Sequence, residues 1–289
     1  EYNANKMRLE NQIYLDYNAT TPVLKEVVDY MLPYFSHQFA NPGSNHIPGW
    51  LVEEDLESAR KTIGKNIEAK EEEILFFSGA TEAINVGIIG FALKNGHKGK
   101  HIITSKTEHK AVLESCLYLE SLGFAITYLD VDHNGMVAME ELQKSIQDNT
   151  ILIALMLANN ETGVIYPIDQ WIESLSHFTQ VTVDATQAVG KIPFSVTQCR
   201  ADLIVFSGHK LYGPKGVGVL YKRSNKNIQL SALSWGGYTQ QGLRAGTYNV
   251  PAIMGMAKAL EMSISILDVE KQRVNQLRDY FETALLQIG

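Results

Sequence analysis

Apolar residues in this chain gather into short unbroken runs, and the segments between them carry apolar residues at helical spacing. The runs "EILFFSG" (73–79), "KHIITS" (100–105), "AITYLDV" (125–131), "TILIALML" (150–157), "QVTVDA" (180–185), "ADLIVFS" (201–207) and "GVGVLYKR" (216–223) predict buried strands. Helices are predicted for "ATEAINVGIIGFALKNG" (80–96), "EHKAVLESCLYLESLG" (108–123), "MEELQKSI" (139–146) and "PIDQWIESLSHF" (167–178). Thr107 caps the second of these and Gly123 ends it, while an "NG" turn at 134–135 precedes the third. Within 254–289, Ile264, Leu267, Val274, Leu277, Phe281 and Leu285 again recur at helical spacing. Strands without polar alternation, interleaved with helices, imply an α/β fold with a mostly parallel sheet sandwiched by helices. In such sheets ligands bind outside the carboxyl ends of the strands.

Those ends carry the unusual residues. After the first strand comes "SGATEA": Gly79 lets the chain turn, and Ala80 and Thr81 open a helix whose free N–H groups suit an anion, or Thr81 is a plain cap. After the second, His109 sits in the first turn of a helix, where an imidazole can stack on a flat ligand, relay a proton, or simply face solvent. After "ALML", the polar group Asn159, Asn160 and Glu161 either forms a turn or offers an amide donor from Asn160. Asp184 ends a buried strand with Gln187 three residues on, and such an acid caps the next segment or keeps a heteroaromatic nitrogen protonated. Finally "SGHKLYGPKGVG" places Lys210 just past a buried strand, beside Ser207 and His209. A partly desolvated lysine is a usable amine nucleophile toward aldehydes, where a lone one is otherwise simply solvated, and the other two could supply hydroxyl and imidazole donors around a phosphate. An anion site, a stacking ring, an amide, an acid and an amine together meet the needs of pyridoxal phosphate (PLP).

Composition narrows the classes. The chain has 289 residues, 45% of them hydrophobic, enough for one large domain or two unequal ones. A net charge of −7 argues against nucleic acid as the main partner. The apolar runs are too short to span a bilayer, which argues against a membrane partner. Two cysteines, Cys116 and Cys199, make a disulfide framework improbable and point to a reducing cytoplasm. No Cys/His cluster has metal spacing, and His97 and His101 in "HKGKH" read as a loop, so no metal is expected. The polar start "EYNANKMRLENQ" is no signal peptide, and Met7 is a natural start.

Seven stretches, "YLDYNATTPV" (14–23), "FFSGATEAIN" (76–85), "IITSKTEHKAVLESC" (102–116), "NNETGV" (159–164), "VDATQAVGKIP" (183–193), "FSGHKLYGPKGVGVLY" (206–221) and "GLRAGTYNVP" (242–251), resemble cysteine desulfurases of the iron-sulfur cluster assembly type, within the class V aminotransferases. The resemblance implies fold type I of the PLP enzymes and a homodimer. It also implies conversion of L-cysteine to L-alanine, with sulfur passed on as a persulfide to a sulfur-acceptor or cluster scaffold protein. Lys210 would carry the cofactor and His109 would stack on its ring. Asp184 would pair with the ring nitrogen, while Gln187 and Asn160 would face the phenolic oxygen. Ala80, Thr81, Ser207 and His209 would hold the phosphate, with Thr247 reaching it from the partner subunit. Residues 1–20 would pack on a small domain, 21–253 would form the large cofactor domain, and 254–289 a long helix leading to that small domain.

The chain also departs from the pattern. The sulfur-accepting cysteine and an arginine for the substrate carboxylate belong beyond Gly289, so the chain reads as truncated, able to bind PLP without sustaining sulfur transfer. Cys116 and Cys199 read as packing or incidental residues. The ring "SWGGYTQQGLRAGT" differs from the commoner glycine-rich form at Tyr238 and Ala245. A related PLP lyase or transaminase, and a chain that binds without turnover, remain as alternatives.

Overall fold

The computed structural model describes residues 13–173, 175 and 179–288. Seven strands, β1 (Ile74–Phe77), β2 (His101–Ser105), β3 (Ala125–Leu129), β4 (Thr150–Met156), β5 (Gln180–Asp184), β6 (Leu203–Ser207) and β7 (Gly218–Lys222), form one sheet in the order β1-β7-β6-β5-β4-β2-β3. The pairs β2–β3, β2–β4, β4–β5 and β5–β6 are parallel, whereas β7 runs antiparallel to both β6 and β1. The carboxyl ends of β1, β6, β5, β4 and β2 therefore share one edge with the amino end of β7.

Side-chain alternation explains why the runs are unbroken. In β1, Ile74 and Phe76 enter one core while Leu75 and Phe77 enter the other; in β6, Ile204 and Phe206 face the first and Leu203 and Val205 the second. With both faces buried, period-2 geometry selects no polar positions. The edge strand β3 is the most exposed, while β5 and β7 are partly exposed only at strand ends.

The first core is covered by α1 (Lys25–Met31), α2 (Pro33–Ser36) and α3 (Ile47–Ile67), then on the far side of the sheet the second by α4 (Ala80–Asn85), α5 (Phe91–Asn95) and α6 (Lys110–Ser121). A π-helical turn, Val86–Gly90, joins α4 and α5 into one rod, where a single helix is predicted. The first core also takes α7 (Met139–Ser145), α8 (Ile168–Glu173), α9 (Val196–Cys199) and α10 (Val250–Ser265); α11 (Leu267–Leu286) ends the chain. In α3, Val52, Leu56, Ala59, Ile63 and Ile67 form the buried stripe that meets α10. Of the helix predicted over 167–178, positions 174 and 176–178 lie outside the described residues.

Three sequence expectations change. The cap of α6 is His109, whose Nδ1 accepts the Ala111 N–H at 3.1 Å; the Thr107 hydroxyl is instead engaged with Ser105 at 3.1 Å and Tyr166 at 3.2 Å. His101 is not in a loop but starts β2, its ring buried between the Thr150 and Thr127 hydroxyls at 2.7 and 2.9 Å. Cys199 ends the one-turn helix α9, buried as a packing residue. The long helix expected over 254–289 is two helices: α10 begins at Val250, stays on the core through Ser263, and meets α11 at 71°. No residue of α11 is buried. Of the segment 1–20, residues 13–20 are described, and Asn18, Ala19 and Thr20 hydrogen-bond with Gln187, Lys210 and His209.

Candidate active site

The shared strand edge opens onto a cavity of about 930 Å³, within the usual size for a small-molecule site. Ala80, Thr81, His109, Asn160, Asp184, Gln187, Ser207, His209 and Lys210, nine of the ten sequence-derived site residues, line it. Thr247 does not. It is exposed, on a separate cleft of about 130 Å³ that it shares with Tyr34 and Phe39.

At one end, β1 turns through Gly79 into α4. The first bond of this helix runs from the Ala83 N–H to the Gly79 carbonyl, at 3.2 Å, so the N–H groups of Ala80, Thr81 and Glu82 precede the helical ladder. Glu82 turns back to accept the Ser78 N–H at 2.6 Å and lies 3.5 Å from Arg244. A Cβ on Gly79 would meet nothing within 4 Å, whereas one on Gly218 would lie 2.5 Å from the Gly79 carbonyl carbon. Glycine at 218 thus lets β7 press against the turn that aims these N–H groups into the cavity. Ser207 closes the same end from β6, its hydroxyl 3.5 Å from the Val217 carbonyl.

His209 lies 3.1 Å from the Thr20 hydroxyl through Nδ1. Burial, then the cations Lys210, Lys215 and Lys191, bring its pKa down to about 4, so the ring is neutral at neutral pH.

Asp184 ends β5, with Oδ1 accepting the Thr186 N–H at 2.9 Å. Burial pushes its carboxyl up; the Thr186 hydrogen bonds, then His109 and Lys210, act in the opposite direction. His109 reaches the cavity from the start of α6. Because its Nδ1 accepts a backbone N–H, the neutral ring carries its proton on Nε2. Asn159 and Asn160 divide the two readings of their segment: buried Asn159 builds the turn, accepting from the Glu161 and Thr162 N–H groups at 2.8 and 2.9 Å, while Asn160 faces the cavity.

Lys210 follows β6 in a short 3₁₀ turn, half-buried, and its Nζ donates to the carbonyls of Asn18 and Ala19, the latter at 2.8 Å. Burial lowers the ammonium, against the pull of Asp16, Asp184 and Glu161. The Gln187 amide donates through Nε2 to the same Asn18 carbonyl at 3.2 Å, and its Oε1 accepts from Lys191.

Three contributors escape sequence reasoning. Asp16, Asn18 and Thr20 form a wall that a motif search sees only as similarity. Lys191 looks like a surface lysine. Glu108 looks like a solvated acid in the first turn of a helix, yet it is 5% exposed. Its Oε1 accepts from the Ser105 hydroxyl at 2.9 Å and from the Met156 N–H at 3.0 Å, while Oε2 is buried without a partner. Burial raises this carboxyl to about 8, with Asp184 adding to the rise. Neither cysteine opens onto the cavity; burial pushes Cys116 up to about 12 and Cys199 to about 11.

A mostly parallel sheet with an anion turn after β1, an acid ending β5 and a lysine following β6 defines a fold type I PLP-dependent enzyme. The model of the family described as "Aminotransferase class-V" matches residues 13–289. The cysteine desulfurase IscS of Dictyoglomus turgidum is 47% identical over 274 residues, spanning 94% of this chain and 69% of that protein. Among solved structures, a NifS-like protein aligns with a TM-score of 0.93 at 38% identity, over 96% of this chain and 76% of its own. A structure of SspA in complex with cysteine aligns with a TM-score of 0.82 at 39% identity, over 86% of this chain and 72% of its own. The chain belongs to the aminotransferase class-V family.

Proposed function

We propose that this protein is a PLP-dependent cysteine desulfurase that converts L-cysteine to L-alanine and gives up the sulfur to a thiol as a persulfide. The observation that carries the reading is the pairing, across one cavity, of a desolvated amine on Lys210 with a buried carboxylate on Asp184. The donor chemistry fits PLP at each end. Ala80 and Thr81 offer backbone N–H groups, and Ser207 and His209 side-chain donors, to a phosphate. Asp184 suits a protonated ring nitrogen, and the Gln187 and Asn160 amides suit an anionic ring oxygen.

When bound, PLP supplies an electrophilic aldehyde and a ring that accepts electrons. The chain does the rest. Lys210 would hold the cofactor through Nζ and would take the proton from the substrate Cα; its lowered ammonium pKa makes the free base accessible. Asp184 would stabilise positive charge on the ring nitrogen. His109, with its proton on Nε2, would stack on the ring and serve as proton donor. Neither Cys116 nor Cys199 is the sulfur acceptor, since both are buried with raised pKa values.

The protein acts as a homodimer, a reading supported by exposed Phe35, Phe39, Trp50, Trp235 and Tyr238 and by the outward position of Thr247, which would reach the partner's phosphate. The sulfur passes to an acceptor or scaffold protein of cluster assembly, in a reducing cytoplasm that suits the two free thiols.

The test is deuterium exchange at Cα of L-cysteine in deuterated buffer, read by NMR on cofactor-loaded protein. Exchange that disappears in Lys210→Ala supports the reading. A protein that takes up PLP and leaves that proton in place contradicts it.

A further inference from the structure

Gln187 stands in two hydrogen-bonded turns that follow β5, held down by fully buried Ala188 and Val189. Gly190 then takes φ +77°, where a Cβ would press within 3.3 Å of both Leu211 and Ser263. The left-handed step returns the chain so that Lys191, four residues after Gln187, lays its ammonium against the Gln187 Oε1. Lys191 does not itself line the cavity; it stands behind the amide that does.

An amide presents two chemically opposite ends of nearly equal shape, and its orientation is decided by its neighbours. An ammonium has only donors, so the end beside Lys191 must be the oxygen. The other end then points toward the cavity and the Asn18 carbonyl, an acceptor that demands the same orientation independently. The Asn18 carbonyl also receives Lys210, so one unbroken path runs from Lys191 through Gln187 and Asn18 to the reactive amine.

We propose that Lys191 is a positioning residue that locks the Gln187 amide with its NH₂ group, and not its carbonyl, toward the ligand's anionic oxygen. The inference deepens the proposed function and rests on it. Without the lock, only the Asn18 carbonyl still orients the amide, and the charge-assisted hydrogen bond to the anion is weakened. The site around Lys191 is cationic: Lys210 and His209 are its near titratable neighbours, and burial followed by the Lys210 charge brings the Lys191 ammonium down to about 8.

The experiment is a pH titration of the near-visible absorbance band of PLP bound to the wild-type protein, Lys191→Met, Lys191→Arg, Gln187→Ala and the Gln187→Ala/Lys191→Met double variant. A ring oxygen that loses its donor holds the neighbouring proton more tightly. Lys191→Met is therefore expected to move the midpoint upward by about one pH unit, the scale of one hydrogen bond to a charged group. Lys191→Arg, which keeps the donor, returns it most of the way. In the Gln187→Ala background Lys191→Met moves nothing further, because coupled residues are not additive. A shift that persists in full in that background, or a wild-type band with an unmoved Lys191→Met midpoint, overturns the lock alone. A wild-type protein with no such band overturns the proposed function and the lock with it.

Discussion

At the residue scale, the sequence shows chemistry wherever a reactive group breaks a strongly apolar pattern. Asp184 and Lys210 were legible because one ends and the other closely follows an otherwise uninterrupted strand. Glu108 was not, because a glutamate in the first turn of a helix is ordinarily solvated, and only the β4 backbone and Ser105 closing over it make it a core residue. Its burial has a measurable consequence. The native state keeps the Glu108 proton up to about pH 8, whereas the unfolded chain releases it near 4.5. Between those values the native state binds more protons, so this group makes stability fall as pH rises, by at most about 1.4 kcal/mol per pH unit. Glu108→Gln removes that titration while keeping the acceptor for Ser105 and Met156. Urea unfolding between about pH 5 and pH 8 is expected to give a flatter pH dependence in the variant than in the wild type. Parallel curves contradict a protonated Glu108.

At the element scale, strands and their carboxyl ends follow from the sequence because both sheet faces are buried and no alternation confuses the reading. The cap of α6 did not, since Thr107 and His109 are both plausible caps and only the Tyr166 and Ser105 hydroxyls, distant or sideways in the chain, decide between them. The break between α10 and α11 did not either. No glycine or proline marks it, and the apolar spacing continues through Ile266 while the helix leaves the core. The contact of Gly218 with Gly79 joins two elements far apart in sequence and carries its own prediction. Gly218→Ala places a methyl against the backbone of the anion turn. It is expected to destabilise the protein by about 1–3 kcal/mol in denaturant unfolding and to weaken PLP uptake in equilibrium titration. Unchanged affinity contradicts the assignment of Ala80 and Thr81 to the phosphate.

At the scale of the whole molecule, the sheet gathers groups from six stretches of chain onto one edge, and no pair of them is adjacent enough in sequence to make a site alone. Three lysines, Lys191, Lys210 and Lys215, converge near that edge together with His209. The account depends on which of them the cofactor chooses. Lys210 alone combines access to the cavity with a pull from Asp184. Loading the protein with PLP, reducing it with borohydride and mapping the labelled peptide by mass spectrometry tests this most directly. The label is expected on Lys210 and is lost in Lys210→Ala; a label on Lys191 or Lys215, or none on any lysine, contradicts the assignment.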